Sequence, residues 1–151
     1  NATAGMTGLL SHEVRADKET RNQILNLAIE TVKVGRALGY NVKPPMGEFS
    51  LEDMERGAGP EGNEELDKVL QGNPPEVPGR PSLAQDVIKG RKTEIEYLNG
   101  MVSEKGKEIG IPTPYSDAVT QILKGVELGE FEVGMDNIHR VSNIVRTYYA
   151  E

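Results

Sequence analysis

Mostly apolar residues recur three or four positions apart along much of the chain, a spacing that places them on one face of an amphipathic α-helix. The longest example lies within residues 17–38 and comprises Ile24, Leu27, Ala28, Thr31, Val34 and Leu38. Asp17 opens this segment and Gly39 follows it, and these residue types are favoured at the start and the end of helices. The pattern therefore predicts one long helix over residues 17–38.

Two further stripes of this spacing lie nearer the carboxyl terminus. The first comprises Tyr115, Val119, Ile122, Leu123 and Val126, and the second comprises Ile138, Val141, Val145 and Tyr148. Gly129 ends the first stripe, and Asp136 is a suitable N-cap for the second. Both stripes predict helices that bury one face.

Shorter helical segments lie between these. Residues 4–10 are typical of the last turns of an interrupted helix, and residues 50–56 and 63–71 follow the N-cap residues Ser50 and Asn63. Two more segments, 82–90 and 93–109, open with capping-box pairs. The pairs are Ser82 with Gln85 and Thr93 with Glu96, and the second segment would present Ile95, Leu98, Val102 and Ile109 on one face.

Residues 71–81 contain four prolines and two glycines, which predicts a loop. No stretch alternates apolar and polar residues between turn signals as a strand would. The sequence therefore predicts an all-α fold with at least five helices, and the length of 151 residues predicts a single domain over residues 1–151.

Composition removes several functional classes. A net charge of −7 argues against nucleic acid, because phosphate binding requires a cationic surface. There is no run of about 18 apolar residues, so no membrane span or membrane partner is predicted. With no cysteine and no signal peptide, we expect a cytoplasmic location. His12 and His139 have no partners at metal-ligand spacing, so no metal site is predicted.

Residues 57–62 read Gly-Ala-Gly-Pro-Glu-Gly, which matches the dinucleotide-binding pattern G-x-G-x-x-G. That pattern functions where a strand leads into a helix whose N-terminus holds a pyrophosphate. Here the preceding residues, Leu-Glu-Asp-Met-Glu-Arg, are charged and helical in pattern. We therefore predict a loop and no cofactor-binding residue in this chain.

Residues 89–100, Lys-Gly-Arg-Lys-Thr-Glu-Ile-Glu-Tyr-Leu-Asn-Gly, place three cations before Glu94 at the start of a predicted helix. A carboxylate in a first helical turn stabilises the helix dipole, which is the simplest interpretation. The alternative is that Glu94 forms one wall of an active site.

The surrounding residues favour the alternative. Residues 80–114, RPSLAQDVIKGRKTEIEYLNGMVSEKGKEIGIPTP, resemble the C-terminal domain of ketopantoate reductase (2-dehydropantoate 2-reductase). The shared features are a serine followed by Gln-Asp, a basic stretch, Thr-Glu-Ile and an acidic residue, Asn-Gly, and Gly-Ile-Pro-Thr-Pro. A weaker resemblance covers residues 1–39.

The resemblance implies a multi-helix C-terminal domain that packs on an N-terminal Rossmann domain lying outside this chain. That domain would bind most of the NADP, and a 2-keto acid would be reduced in the cleft between the two. Glu94 would be catalytic by supporting an active-site lysine four residues before Asn1, and Ser82 and Asn1 would bind substrate. Two positions depart from the family, because Gly5 and Gly79 stand where family members carry asparagines.

The resemblance also implies a homodimer and a role in pantothenate biosynthesis. Two alternatives remain open at this point. The chain could be a non-catalytic helical dimerisation or interaction module, or its parent could reduce a different 2-keto acid.

Overall fold

The computed structural model describes residues 1–150 and is all-α, with no strand in that range. The nine α-helices within it are α1 (Ala2–Thr7), α2 (Ser11–Ala16), α3 (Lys18–Ala37), α4 (Leu51–Ala58), α5 (Glu64–Gln71), α6 (Ser82–Ile88), α7 (Asn99–Ile109), α8 (Pro114–Glu127) and α9 (Asp136–Ala150). A short 3₁₀ helix, Ile95–Tyr97, precedes α7. The predicted fold class is confirmed, and each predicted helical segment contains a helix.

Local capping residues determine where several helices begin and end. The Asp17 carboxylate accepts a hydrogen bond from the Thr20 amide at 2.9 Å and starts α3. Gly39 follows α3 with φ of +89°, a left-handed conformation that glycine adopts at low cost. Asn63 caps α5 in the same way as Asp17, by accepting from the Leu66 amide at 3.1 Å. These caps lie where the sequence predicts them because each bond spans three residues.

Helices α3, α4 and α5 enclose a small apolar cluster of Leu25, Ile29, Met54 and Leu66. Arg21 links three helices beside this cluster. Its guanidinium binds the Asp67 carboxylate of α5 at 2.7 and 3.0 Å and donates to the carbonyls of Arg15 and Ala16, at the end of α2. The buried cation is therefore fully paired, which offsets the cost of removing it from water.

The main core lies between α1, α6, α8, α9 and the 3₁₀ helix. Its buried members are Ala2, Met6, Leu83, Ile95, Ala118, Val119, Ile122, Leu123, Val126, Ile138, Val141 and Val145. The predicted stripe of α8 supplies four of them at i, i+3, i+4 and i+7, so the periodicity correctly identifies the buried face of that helix.

The two predicted capping boxes of residues 82–96 do not form. Ser82 is the first residue of α6 rather than its cap, since Pro81 occupies the cap position, and Gln85 bonds the Arg80 carbonyl instead. Thr93 lies before the 3₁₀ helix, and Glu96 forms ion pairs instead of closing the box. Glu94 consequently precedes a 3₁₀ helix and is not in the first turn of an α-helix.

The predicted apolar face of residues 93–109 is also partly wrong. Ile95 is fully buried, but Leu98 is 41% exposed, and the buried positions of α7 are Ser103 and Gly106. A β-carbon at position 106 would lie 2.7 Å from the Ile111 carbonyl oxygen, so the helix packs on the following turn through a glycine. Leu98 joins the 3₁₀ helix to α7 with φ of −104° and ψ of −100°, which are not helical, so it does not continue the face that carries Ile95.

None of the helices within residues 1–150 is long and apolar enough to cross a membrane. The loop predicted at 71–81 is confirmed for residues 72–81, and its end is fixed by two contacts. The Ser11 amide donates to the Gly79 carbonyl at 2.9 Å, and Arg80 donates to the Gly8 carbonyl at 2.7 Å. These bonds bring the start of α6 beside α1.

Candidate functional site

Asn1 and Ser82, predicted as binding residues from positions 81 residues apart, are in direct contact. The Asn1 amide nitrogen donates to the Ser82 hydroxyl at 3.1 Å. The Asn1 amide oxygen accepts from the Leu83 backbone amide at 3.2 Å. Both residues remain exposed to solvent, so their polar groups are accessible to a ligand.

The contact has a local cause. Pro81 at the cap of α6 offers no side-chain acceptor, and the first amides of a helix need one. The Asn1 amide oxygen provides it from the start of α1. Asn1 therefore caps α6 across the fold and also fixes the Ser82 hydroxyl at the surface.

Glu94 is exposed, and its side chain makes no hydrogen bond or ion pair within residues 1–150. Two nearby cations are paired with a different carboxylate. Glu96 binds Lys124 of α8 and lies 3.3 Å from Lys92, and these two ammonium groups hold the pKa of Glu96 below its usual value. The carboxylate of Glu94 is thus left uncommitted while its neighbour carries the local ion pairs.

The backbone that carries Glu94 is held firmly. Glu127, the last residue of α8, accepts hydrogen bonds from the Thr93 amide at 2.7 Å and from the Thr93 hydroxyl. Thr93 itself is only 4% exposed. On the other side of Glu94, the Ile95 side chain is completely buried in the main core.

Each of the three predicted site residues lies directly before a buried member of the main core. Asn1, Ser82 and Glu94 immediately precede Ala2, Leu83 and Ile95 respectively, and those three residues belong to the same buried cluster. Asn1 and Ser82 contact each other, whereas Glu94 contacts neither within the chain. The arrangement presents a carboxamide, a hydroxyl and a free carboxylate, which are suited to binding a small polar molecule.

The two positions that depart from the family pattern differ in their surroundings. A β-carbon on Gly5 would lie 3.3 Å from the side chains of Leu83 and Leu123, so α1 packs tightly there. A β-carbon on Gly79 would meet only the Ser11 hydroxyl, at 3.9 Å. Position 79 therefore has room for a side chain, close to Ser11.

The glycine-rich residues 57–62 do not fit a dinucleotide. Gly57 and Ala58 end helix α4, so no strand leads into the loop. The loop borders a hollow of about 620 Å³ whose walls include four carboxylates and one ammonium group: Glu19, Glu61, Glu64, Asp67 and Lys18. A pyrophosphate would be repelled by this net negative charge.

Sequence reasoning missed the cap of α6 by Asn1 and the contact of Glu127 with Thr93. Neither has a short-range signal, because the partners lie 82 and 34 residues apart. The one available hint is Pro81, which makes a side-chain cap from the local sequence impossible.

Solved structures of the same fold are dehydrogenases. D-mandelate dehydrogenase in complex with NADH matches with a TM-score of 0.61 and 25% identity, over 85% of this chain and 46% of that chain. Its ternary structure with NADH and anilino(oxo)acetate matches with a TM-score of 0.57 at 24% identity, and covers 85% of this chain and 49% of that one. The fold is thus that of a helical domain found in dehydrogenases.

A match to a sequence family is more specific than the similarity in fold. The profile of the family described as ketopantoate reductase PanE/ApbA C terminal matches residues 1–127. The chain belongs to this family, which confirms the resemblance found in residues 80–114.

Curated relatives agree over shorter segments. The 2-dehydropantoate 2-reductase of Lactococcus lactis is 52% identical over 48 residues, covering 31% of this chain and 15% of the relative. That of Aquifex aeolicus is 47% identical over 55 residues, covering 36% of this chain and 17% of the relative. The matched segments span less than a fifth of the length of these enzymes and about half of the length of the solved dehydrogenases.

Proposed function

We propose that this chain is the substrate-orienting domain of a reductase that converts 2-dehydropantoate, or a related 2-keto acid, to the 2-hydroxy acid with NADPH. The observation that carries the proposal is the direct contact between Asn1 and Ser82 at the edge of the core that also carries the uncommitted Glu94. These are the residues to which the family resemblance assigns binding and catalysis.

Each residue has a defined part in this proposal. The Ser82 hydroxyl and the Asn1 carboxamide donate hydrogen bonds to the anionic keto acid and hold it in one orientation. The carbonyl oxygen gains a proton as the keto carbon is reduced, and an ammonium group is a suitable donor. The Glu94 carboxylate has no partner among residues 1–150, so it is available to hold such an ammonium group in place and charged.

The nicotinamide supplies the hydride chemistry when it is bound. The acidic loop at 57–62 is unsuited to it, so we assign NADP binding mainly to an N-terminal Rossmann domain of a longer parent protein. In that arrangement residues 1–151 form the C-terminal domain, and the substrate lies between the two domains. A cytoplasmic location and a place in pantothenate biosynthesis belong to the same proposal.

The test is a steady-state assay of the purified full-length protein. NADPH oxidation is followed at 340 nm with 2-dehydropantoate as substrate, and NADH is compared under the same conditions. We expect turnover that depends on the keto acid and favours NADPH. Absence of turnover with any 2-keto acid would instead support a non-catalytic interaction module.

A bulkier 2-keto acid is a second candidate for the substrate. Gly79 stands where the family pattern places an asparagine, and a β-carbon there would meet only the Ser11 hydroxyl at 3.9 Å, so the missing side chain favours a substrate bulkier than 2-dehydropantoate. A panel of 2-keto acids of increasing size, compared by kcat/KM, separates the two. A maximum at 2-dehydropantoate would exclude the bulkier class.

We also propose that the full-length protein is a homodimer. An apolar groove lies between α3 and α7, where Leu38, Tyr40, Tyr97, Leu98 and Met101 are between 38% and 73% exposed. The cation at this groove, Lys105, is already paired with Glu108, so an uncharged surface such as a second copy is the best fit.

Light scattering tests this proposal on the full-length protein. We expect a dimer that Met101→Lys weakens, because a cation would be buried in the interface. Val77→Lys is the control, since Val77 is 80% exposed in the loop before α6 and lies outside the groove. A monomer for the unsubstituted protein, or equal weakening by both variants, would contradict the assignment.

A further inference from the structure

The Thr93 hydroxyl, directly before Glu94, bonds both Glu127 and the residue directly after Glu94. It donates to the Glu127 carboxylate and accepts from the Ile95 backbone amide at 3.3 Å. The Thr93 amide donates to the same Glu127 oxygen at 2.7 Å. One carboxylate oxygen at the end of α8 therefore fixes the short segment from Thr93 to Ile95.

Glu94 has no contact that could orient it independently. Its side chain makes no hydrogen bond or ion pair within residues 1–150, so its direction depends on the backbone that carries it. The Glu96–Lys124 pair links the same segment to α8 a second time. However, that pair involves two partly exposed side chains, and such ion pairs contribute little.

The hydrogen bonds between Glu127 and Thr93 differ from this exposed ion pair in their burial. Thr93 is almost completely buried and Glu127 is partly buried, so the bond is protected from water, and a hydrogen bond to an ionised group is stronger than a neutral one. A shift of about 1 Å at a catalytic group can reduce a rate about 100-fold. The position of the Thr93 backbone can therefore control the activity of Glu94.

We propose that Glu127 is a positioning residue that acts through Thr93 to aim the Glu94 carboxylate at the reacting centre. The inference rests on the proposed role of Glu94 and adds a residue of α8 to the machinery. Glu127 acts through the position of the backbone rather than through its charge, because both hydrogen bonds from Thr93 end on one of its oxygens.

Two variants separate geometry from charge in the full-length enzyme, assayed with NADPH and 2-dehydropantoate. Glu127→Ala removes the acceptor, and we expect kcat to fall about 10- to 100-fold while KM changes less than threefold. Glu127→Gln keeps a carbonyl oxygen that can accept both bonds, so we expect kcat within about threefold of the unsubstituted enzyme.

Should Glu127→Ala fail to fold, Thr93→Val and Thr93→Ser provide the same comparison. Valine keeps the volume and the backbone amide but removes the hydroxyl that bonds Glu127 and Ile95. Serine keeps the hydroxyl. We expect Thr93→Val to lower kcat several-fold and Thr93→Ser to retain it.

The matched control is Glu30, a carboxylate of α3 that accepts backbone amides at the start of α8. It bonds the Tyr115 and Ser116 amides, each at 2.7 Å, near the opposite end of that helix. The two contacts are roughly 17 Å apart along the helix at 1.5 Å per residue. Glu30→Gln should lower the melting temperature and leave kcat unchanged. This result would separate a loss of stability from a change in the position of the Glu94 carboxylate.

A double-mutant cycle with Glu94→Gln completes the test. If Glu127 acts through Glu94, Glu127→Ala should reduce kcat less than twofold in the Glu94→Gln background. A normal kcat for Glu94→Gln would overturn the role of Glu94 and this inference with it. If Glu94→Gln lowers kcat as expected, two results would overturn this inference alone. One is an unchanged kcat for Glu127→Ala, and the other is a double variant in which the two losses of kcat are additive.

Discussion

Ser82 and Ser50 both stand at the start of a helix, but the structure gives them different tasks. The Ser50 hydroxyl accepts from the Asp53 amide at 3.1 Å and caps α4. The Ser82 hydroxyl caps nothing, because the Asn1 amide oxygen binds the Leu83 amide in its place. The serine that is free of a capping role is the one suited to bind substrate.

This difference predicts opposite effects of two alanine substitutions in the full-length protein. Ser82→Ala should raise KM for the keto acid more than it lowers kcat, because it removes a contact present in both the ground state and the transition state. Ser50→Ala should leave both constants unchanged and cost about 0.5–2 kcal/mol of unfolding free energy. Kinetics and urea unfolding of both variants test this. Unchanged KM in Ser82→Ala would remove Ser82 from the site.

Glu94 leads to a second prediction at the residue scale. Since its side chain neither caps a helix nor forms an ion pair within residues 1–150, Glu94→Gln should leave the melting temperature within about 1 °C. If it holds a proton-donating ammonium group, kcat should fall about 10²- to 10⁴-fold, the usual contribution of acid–base assistance. Steady-state kinetics and calorimetry on the full-length variant measure both. A large loss of stability with normal kcat would return Glu94 to a structural role.

At the scale of helices, the sequence predicts what short-range contacts determine. The caps Asp17, Ser50 and Asn63 bond amides three residues away, and each predicted helix begins within a residue or two of its cap. Ser82 and Thr93 carry equally good local patterns, but partners 81 and 34 residues away bind them first. The candidate site depends on these long-range partners, so the resemblance could name Asn1, Ser82 and Glu94 but not Glu127.

The packing of α7 shows the same limit. Apolar spacing predicts that Leu98 is buried, yet the helix approaches residues 111–113 through Gly106, and Leu98 stays exposed. A glycine inside a helix carries no signal in a hydrophobic pattern, so tertiary packing sets this orientation.

The link between α2, α3 and α5 leads to a pH prediction. The Arg21 guanidinium, through hydrogen bonds and charge, holds the pKa of Asp67 below its usual value of 3.8. A depressed pKa means that the native state releases the proton more readily than the unfolded state. The stabilisation by Asp67 is therefore present above pH 3.8 and is lost as the pH falls through the lower native value.

Asp67→Asn should accordingly lower the unfolding free energy at pH 6 and reduce the stability lost on acidification from pH 6 to pH 3. Urea unfolding of residues 1–151 at both pH values measures this. Glu76→Gln, at an exposed position in the loop before α6, is the control. An unchanged pH dependence in Asp67→Asn would show that the Arg21 contact does not contribute through ionisation.

At the scale of the whole molecule, the site residues lie at the edge of a core that is complete without them. Asn1, Ser82 and Glu94 are exposed, while the residues that follow each of them are buried. These residues line only one side of a cleft. In the proposal, the nucleotide-binding domain of the parent protein lines the other side. Substrate and cofactor would then meet between the domains rather than within this chain.

This division of labour predicts that residues 1–151 alone do not bind NADPH. Gly57 and Ala58 end helix α4, and residues 57–62 lie among the carboxylates of Glu61, Glu64 and Asp67, which would repel the pyrophosphate. Isothermal titration of NADPH into residues 1–151 should therefore give no binding heat, whereas the full-length protein should bind. Glu94→Gln is a control that should leave NADPH affinity of the full-length protein unchanged. Micromolar binding by residues 1–151 that is lost on replacing Gly57 and Gly59 with alanine would contradict the assignment and move the cofactor into this domain.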